Sequence, residues 1–247
     1  MNLRSYLDST YLKTNEQANI SEAENVLVVT ECIEEAIREQ FKLIMIRPDR
    51  VALAKQLIEA AGSKVLIGTV IAFPKGDANL QAKLAEAEQA IADGADDLDF
   101  VCDYEAFKRG EFELVKQEIV QGTKLGLAHK KVVKWIIEVA ALNHTQIIQL
   151  SAFIKNVVLQ HFEEEDFASI FVKSSTGFYQ TANNEPNGAT VDTIKLMLEN
   201  ASPLPVKAAG GVRNYQDAIQ MIQLGVQRIG TSGAKAIIDG ASAEGEY

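Results

Sequence analysis

The stretch Phe171-Val172-Lys173-Ser174-Ser175-Thr176-Gly177 ends a short apolar run in a lysine, and Pro205-Val206-Lys207-Ala208-Ala209-Gly210-Gly211 repeats the pattern 34 positions later. An apolar run that stops at a polar residue and then a glycine reads as a buried strand handing over to a loop. Lys134 lies 39 positions before Lys173, and Asp99 lies 35 before Lys134. Such intervals fit one strand, one helix and two loops, so the four polar residues fall on consecutive strands 4, 5, 6 and 7 of one repeating architecture.

Working outward, apolar runs predict strands at 6–9, 42–46, 65–72, 97–102, 131–138, 169–173, 204–207 and 226–229. Helical patterns fill the intervals at 49–61, 79–92, 112–125, 145–160, 191–199 and 215–223. Ser21-Glu22-Ala23-Glu24 is a capping box, and Val26, Val29, Ile33 and Ile37 follow at helical spacing. Nearly continuous apolar strands alternating with helices mean a parallel sheet covered on its faces, and eight units in 247 residues predict an α/β fold, a single (β/α)8 TIM barrel. A doubly wound open sheet is the alternative, but no GxGxxG follows the first strand.

With 47% hydrophobic residues and no Pro-rich or Gly/Ser-rich linker, one domain is expected over 1–239, followed by a small, polar, flexible tail at 240–247 that ends in Tyr247. A net charge of -10 argues against nucleic-acid and anionic-membrane partners. No stretch is apolar for long enough to span a bilayer, and the first residues lack the apolar core of a secretory signal. A cytoplasmic location is expected, in keeping with only two cysteines, Cys32 and Cys102, without ligand spacing. His129, His144 and His161 form no cluster either, so neither a metal nor a cofactor is expected.

Two strand-end amines on neighbouring strands suit Schiff-base chemistry. A free lysine has a pKa of about 10.4, and lowering it by roughly three units takes about 4 kcal/mol. Burial and a second ammonium both act in that direction. Phe171-Val172 is a more apolar flank than Pro205-Val206, which makes Lys173 the candidate nucleophile and Lys207 its electrostatic partner. The competing reading is that the lysines snorkel to solvent. On strand 4, Asp97 and Asp99 share a face, and Asp99, nearer the C-terminal mouth, is the candidate proton relay. A structural ion pair is its competitor. Lys134 and Glu138 share a face of strand 5 as supporting groups. The loops after strands 6, 7 and 8 carry the phosphate-binding candidates Thr176, Gly177, Gly210, Gly211, Gly230, Thr231 and Ser232, where bare backbone N–H groups can approach an anion, with Ser232 capping a helix that begins near Gly233.

Further motifs accompany these: Leu7-Asp8-Ser9-Thr10-Tyr11-Leu12, Phe73-Pro74-Lys75-Gly76, Gly94-Ala95-Asp96-Asp97-Leu98-Asp99, Val133-Lys134-Trp135-Ile136-Ile137-Glu138, Lys207-Ala208-Ala209-Gly210-Gly211-Val212-Arg213 and Arg228-Ile229-Gly230-Thr231-Ser232. In this order, and with Lys173-Ser174-Ser175-Thr176-Gly177, the chain resembles the deoxyribose-phosphate aldolases over nearly its whole length. The resemblance implies a metal-free class I aldolase that reversibly cleaves 2-deoxy-D-ribose 5-phosphate to D-glyceraldehyde 3-phosphate and acetaldehyde. It implies that Lys173 forms the Schiff base, Lys207 perturbs it, Asp99 relays protons and Asp8 positions the network. Ser174 stands where the family usually has Thr, and Met45 where it often has Cys; neither change removes a required group.

The partners implied are small phosphosugar and aldehyde substrates, and a homodimer or higher homo-oligomer stays open. The alternatives are another phosphosugar barrel enzyme, transaldolase-like or an isomerase, and a non-catalytic phosphosugar-binding protein. Some members of the resembled family also end in tyrosine, and Tyr247 is expected to fold over the barrel mouth and help move the C2 proton, with an unstructured tail as the competing reading. Deleting Tyr247 is expected to slow turnover and C2 proton exchange; unchanged values for both would dispose of that role.

Overall fold

A parallel sheet covered on both faces has buried strands, and the computed structural model, which describes residues 2–182 and 186–241, has that arrangement. Strands β1 (Leu7–Thr10), β2 (Leu43–Ile46), β3 (Leu66–Ile71), β4 (Asp97–Val101), β5 (Val132–Ile136), β6 (Ile170–Lys173), β7 (Val206–Ala209) and β8 (Arg228–Thr231) pair in parallel and in chain order. The pairing of β8 with β1 closes the barrel, as the eightfold alternation predicts.

Around it lie α1 (Asn15–Ala18), α2 (Glu22–Glu39), α3 (Val51–Ala60), α4 (Leu80–Asp93), α5 (Tyr104–Lys108), α6 (Phe112–Ala128), α7 (His144–His161), α8 (Val191–Ala201), α9 (Tyr215–Leu224) and α10 (Ala234–Ile238). Ser21 and Glu24 form the expected capping box at the start of α2. Asn143 with Gln146 and Thr190 with Thr193 form equivalent boxes at α7 and α8. The outward strand residues and the inward helix faces make the main core, in which Phe100 stacks on Trp135 at 4.9 Å and the Trp135 indole donates to the Thr123 hydroxyl at 3.0 Å. Among the described residues no helix is long and apolar enough to cross a membrane. Tyr247 and most of the expected tail lie outside the described residues.

Three boundary differences bear on the site. β7 starts at Val206, two residues later than expected, because Leu204 turns back to bond Ala201 and Pro205 brings no N–H to a ladder. Lys207 is therefore the second residue of its strand and sits deeper in the barrel than a strand end. β8 is likewise shifted: Gly225 stops α9 with a φ of 114° and the Val226 amide bonds back to Met221, so the strand begins at Arg228. That moves Gly230 and Thr231 from the expected loop into the barrel wall. Third, β5 ends at Ile136, and Glu138 follows it with a φ of 56°, outside the strand's alternation.

The barrel interior is divided. Leu43, Met45 and Val70 on β2 and β3, with Leu12, form a small apolar cluster on one side. Asp8, Asp97, Asp99, Lys134, Lys173, Lys207 and Arg228, from the other six strands, are buried on the other.

Candidate active site

Strand register brings the charged side chains together. Asp99 pairs with Lys134 across β4 and β5, Lys173 with Lys207 across β6 and β7, and Lys207 with Arg228 across β7 and β8. Inward positions on parallel neighbours point into the same layer. Asp99 is the hub: Lys134 Nζ donates to its Oδ1 at 2.7 Å, while Lys173 Nζ and Lys207 Nζ both donate to its Oδ2 at 2.9 Å. Lys134 also reaches Asp97 at 2.7 Å. Lys207 lies 2.6 Å from Asp8 Oδ2, an ion pair without the alignment of a hydrogen bond. Arg228 ties Asp8 and Asp97 together at 2.6 and 3.1 Å.

With all seven groups ionised, four cations face three carboxylates and the cluster carries one excess positive charge. The protonation preferences indicate where that excess is relieved. Burial pushes the Lys173 ammonium down to about 8; Asp99 opposes this and the nearby Lys207 adds to it. For Asp99, burial would raise the pKa, but Lys134, Lys173 and Lys207 outweigh it and hold the carboxyl well below the usual carboxylate range. Burial likewise works against the Lys134 ammonium, yet Asp97 and Asp99 leave its pKa raised. Lys173, the last residue of β6 at the mouth end of the barrel, therefore gives up its proton more readily than Lys134.

The predicted residues divide by position. Asp8, Asp99, Lys134, Lys173 and Lys207 come together as described. Glu138 is not inside the barrel with them: its carboxylate accepts from the Ser175 hydroxyl at 2.8 Å, from the Thr176 amide at 3.1 Å and from the Thr176 hydroxyl, fixing the loop that follows Lys173. Ser174 donates to the Ala209 carbonyl at 2.9 Å and accepts from the Ala209 amide, linking the ends of β6 and β7.

Above these strands a cavity of about 740 Å³ opens between the loops after β6 and β7. Of the phosphate candidates, Gly177 and Gly211 line it, beside Lys13, Gln17, Gly188 and Arg213. Gly210 braces the wall: its carbonyl accepts from the Ala189 amide at 2.9 Å, and a Cβ on Gly188 would come within 2.4 Å of the Gly210 backbone. Thr176 is engaged by Glu138. Gly230, within β8, leaves space for Lys207, because a Cβ there would lie 3.1 Å from Lys207 Cε. Thr231 donates to the Val212 carbonyl at 2.8 Å and accepts from the Gly233 amide, and Gly233, not Ser232, occupies the N-cap of α10 without a side-chain bond. The expected Ser232 cap is thus corrected: Thr231 holds the turn, and Ser232 is exposed.

Arg228 and the structural part of Asp97 were not anticipated as site features. An arginine within the buried run before Gly230, on the same strand face, was the available signal. Lys13 and Gln17 had none, since they come from the loop after β1 and a one-turn helix whose placement depends on the closed barrel.

The comparisons with known proteins converge on these residues' scaffold. The model of the DeoC/LacD family aldolases matches residues 8–238. The chain is 35% identical to the deoxyribose-phosphate aldolase of Thermococcus gammatolerans, covering 98% of this chain and 97% of that one. It is 34% identical to deoxyribose-phosphate aldolase 1 of Staphylococcus aureus over the full length of both. The tetrameric deoxyribose phosphate aldolase of Aeropyrum pernix superposes with a TM-score of 0.75 at 29% identity, covering 96% of this chain and 89% of that one. The chain belongs to the DeoC/LacD aldolase family.

The lowered Lys173 pKa has a consequence for stability. Between pH 8 and its ordinary value of 10.5, the unfolded chain holds a proton on Lys173 that the folded chain releases, so this group's contribution to stability rises with pH across that window. Below pH 8 the buried ammonium costs on the order of 3 kcal/mol. Lys173→Leu is therefore expected to raise the urea midpoint at pH 7, with its advantage over the wild type shrinking as pH rises from 8 towards 10.5.

Proposed function

We propose that the protein is a class I deoxyribose-phosphate aldolase, reversibly cleaving 2-deoxy-D-ribose 5-phosphate to D-glyceraldehyde 3-phosphate and acetaldehyde through a Schiff base on Lys173. The observation that carries this reading is one buried amine, lowered to about 8 and 2.9 Å from an ionised carboxylate, at the mouth of a family barrel. At neutral pH an appreciable fraction of such an amine is free to attack.

Lys173 Nζ adds to the C1 aldehyde of the open-chain sugar, and loss of water leaves an iminium. That cation accepts the electron pair released when the C2–C3 bond breaks, as the C3 hydroxyl gives up its proton. Asp99 relays that proton. Because its carboxyl is held well below the usual range, it passes the proton on rather than keeping it, and Lys207 and Asp8 lie along the exit. Glyceraldehyde 3-phosphate departs, the enamine is protonated at C2, and hydrolysis frees acetaldehyde and Lys173. Asp8 fixes Lys207, and Lys134 holds Asp99 in place. The phosphate docks in the cavity against the backbone near Gly177 and Gly211, with Lys13 and Arg213 supplying charge.

Borohydride with acetaldehyde should trap an adduct on Lys173, with a labelling rate that rises to a plateau near pH 8. Lys173→Leu should abolish labelling and cleavage. Labelling elsewhere, or cleavage retained by Lys173→Leu, would refute the mechanism; turnover without trapping would indicate an isomerase, and phosphosugar binding with neither would indicate a silent binding protein.

Phosphate recognition separates from chemistry. Lys13→Ala and Arg213→Ala are each expected to raise KM for the phosphorylated sugar about tenfold, in line with roughly 1.4 kcal/mol per lost charged contact. Acetaldehyde trapping should be unaltered in both. A KM that stays put in both variants would exclude the cavity as the phosphate site.

A further inference from the structure

Among the described residues, one ion pair outside the barrel interior is as buried as those inside it. Lys83, on the inner face of α4, lies 2.8 Å from Glu118 of α6, and the two side chains are 1% and 2% exposed. Lys83 Nζ also donates to the carbonyl of Val101 at 3.1 Å, and Val101 is the last residue of β4. The other Glu118 oxygen accepts from the Asp103 amide at 3.3 Å. Between them, the Cys102 amide bonds the carbonyl of Ile136, the last residue of β5, at 3.0 Å. Gly76 closes the far side, where a Cβ would come within 2.4 Å of the Cys102 carbonyl oxygen. The C-terminal end of β4 is thus held from α4, α6, β5 and the loop at Gly76.

One turn along α4, on the same face, Glu86 accepts from the Ala72 amide at 2.7 Å, just past the end of β3. Helix α4 therefore anchors the tops of two adjacent strands through side chains. Burying an ion pair is a poor route to stability, since well-packed apolar replacements are often neutral or stabilising. What a methionine could not do is donate to the Val101 carbonyl and fix the strand along its axis. Asp99 stands two residues before Val101, ~7 Å along the same strand. Its bonds to Lys134, Lys173 and Lys207, at 2.7, 2.9 and 2.9 Å, weaken when displaced by a few tenths of an ångström.

We propose that Lys83 and Glu118 are positioning residues for the reaction: from outside the barrel they set the height of the end of β4 and so keep Asp99 within hydrogen-bonding distance of all three lysines. This rests on the aldolase reading, and the two fail differently. If the wild type traps no acetaldehyde, that reading falls; if it traps normally, the variants below decide the positioning role.

The test is the double variant Lys83→Met/Glu118→Leu, which removes both charges at similar volume, compared with Ile33→Val, a core change in α2 away from β4. Three quantities are measured: the melting temperature, kcat for cleavage, and the pH midpoint of borohydride trapping. The double variant is expected to melt near the wild type, lose at least tenfold in kcat, and show a trapping midpoint lower by half a pH unit or more, because a displaced Asp99 holds the Lys173 ammonium less tightly. Ile33→Val should lower only the melting temperature. A folded double variant with wild-type kcat and midpoint overturns the proposal. So does a fall in kcat with an unmoved midpoint, which would assign the pair to general integrity. Should the double variant fail to fold, Glu118→Gln carries the same three measurements, and a folded Glu118→Gln with unchanged kcat and midpoint overturns the proposal equally.

Discussion

A single carboxylate shared by three ammonium groups is the constraint on which the site depends. Asp99 is fully buried and binds Lys134, Lys173 and Lys207 at hydrogen-bonding distance, so it is the one carboxylate common to three cations that would otherwise repel each other, with Asp97 and Asp8 as second partners of Lys134 and Lys207. It also sets a limit. A carboxylate bonded tightly to Lys173 alone would keep that amine charged and useless as a nucleophile. Sharing one oxygen between Lys173 and Lys207 divides its attraction, and burial then carries the balance towards the free amine.

The division of the barrel interior follows from the same requirement. Charged layers in a low-dielectric core are tolerable only when every member is paired, and the network reaches from Arg228 through Asp8 and Asp97 to Lys134 before it meets Asp99. The β2 and β3 side is filled instead with Leu43, Met45 and Val70, which pack with Leu12 and offer the charged groups no further partner. Space is given where it is needed: Gly230 makes room for the stem of Lys207, and Gly188 lets the loop before α8 lie against Gly210.

How much of this could be read beforehand depended on whether the signal was periodic or required closure. The 34- to 39-residue intervals and the capping box at Ser21 are properties of one chain segment at a time, so the barrel, strand order and inward lysines were legible. Boundaries failed where a turn competed with a strand for the same residues, as at Pro205 and Val226, and this misassigned Gly230 to a loop. Glu138 appeared to continue an alternation that its left-handed backbone breaks. Arg228 is a different failure. Its meaning lies in contacts with Asp8 and Asp97, 220 and 131 positions away, which exist only once β8 meets β1.

The charge distribution connects the site to its environment. The chain carries a net charge of -10, so its far field repels a phosphosugar, and no long-range steering aids capture. Attraction has to be local, and in the proposed site the cavity would provide it with Lys13 and Arg213 above a cluster that is itself positive by one charge until Lys173 releases its proton. Release makes the cluster neutral; in the proposed mechanism, formation of the iminium restores the positive charge at the same atom. On the proposed mechanism Asp99, 2.9 Å from Lys173 Nζ, already stands where that positive charge would develop.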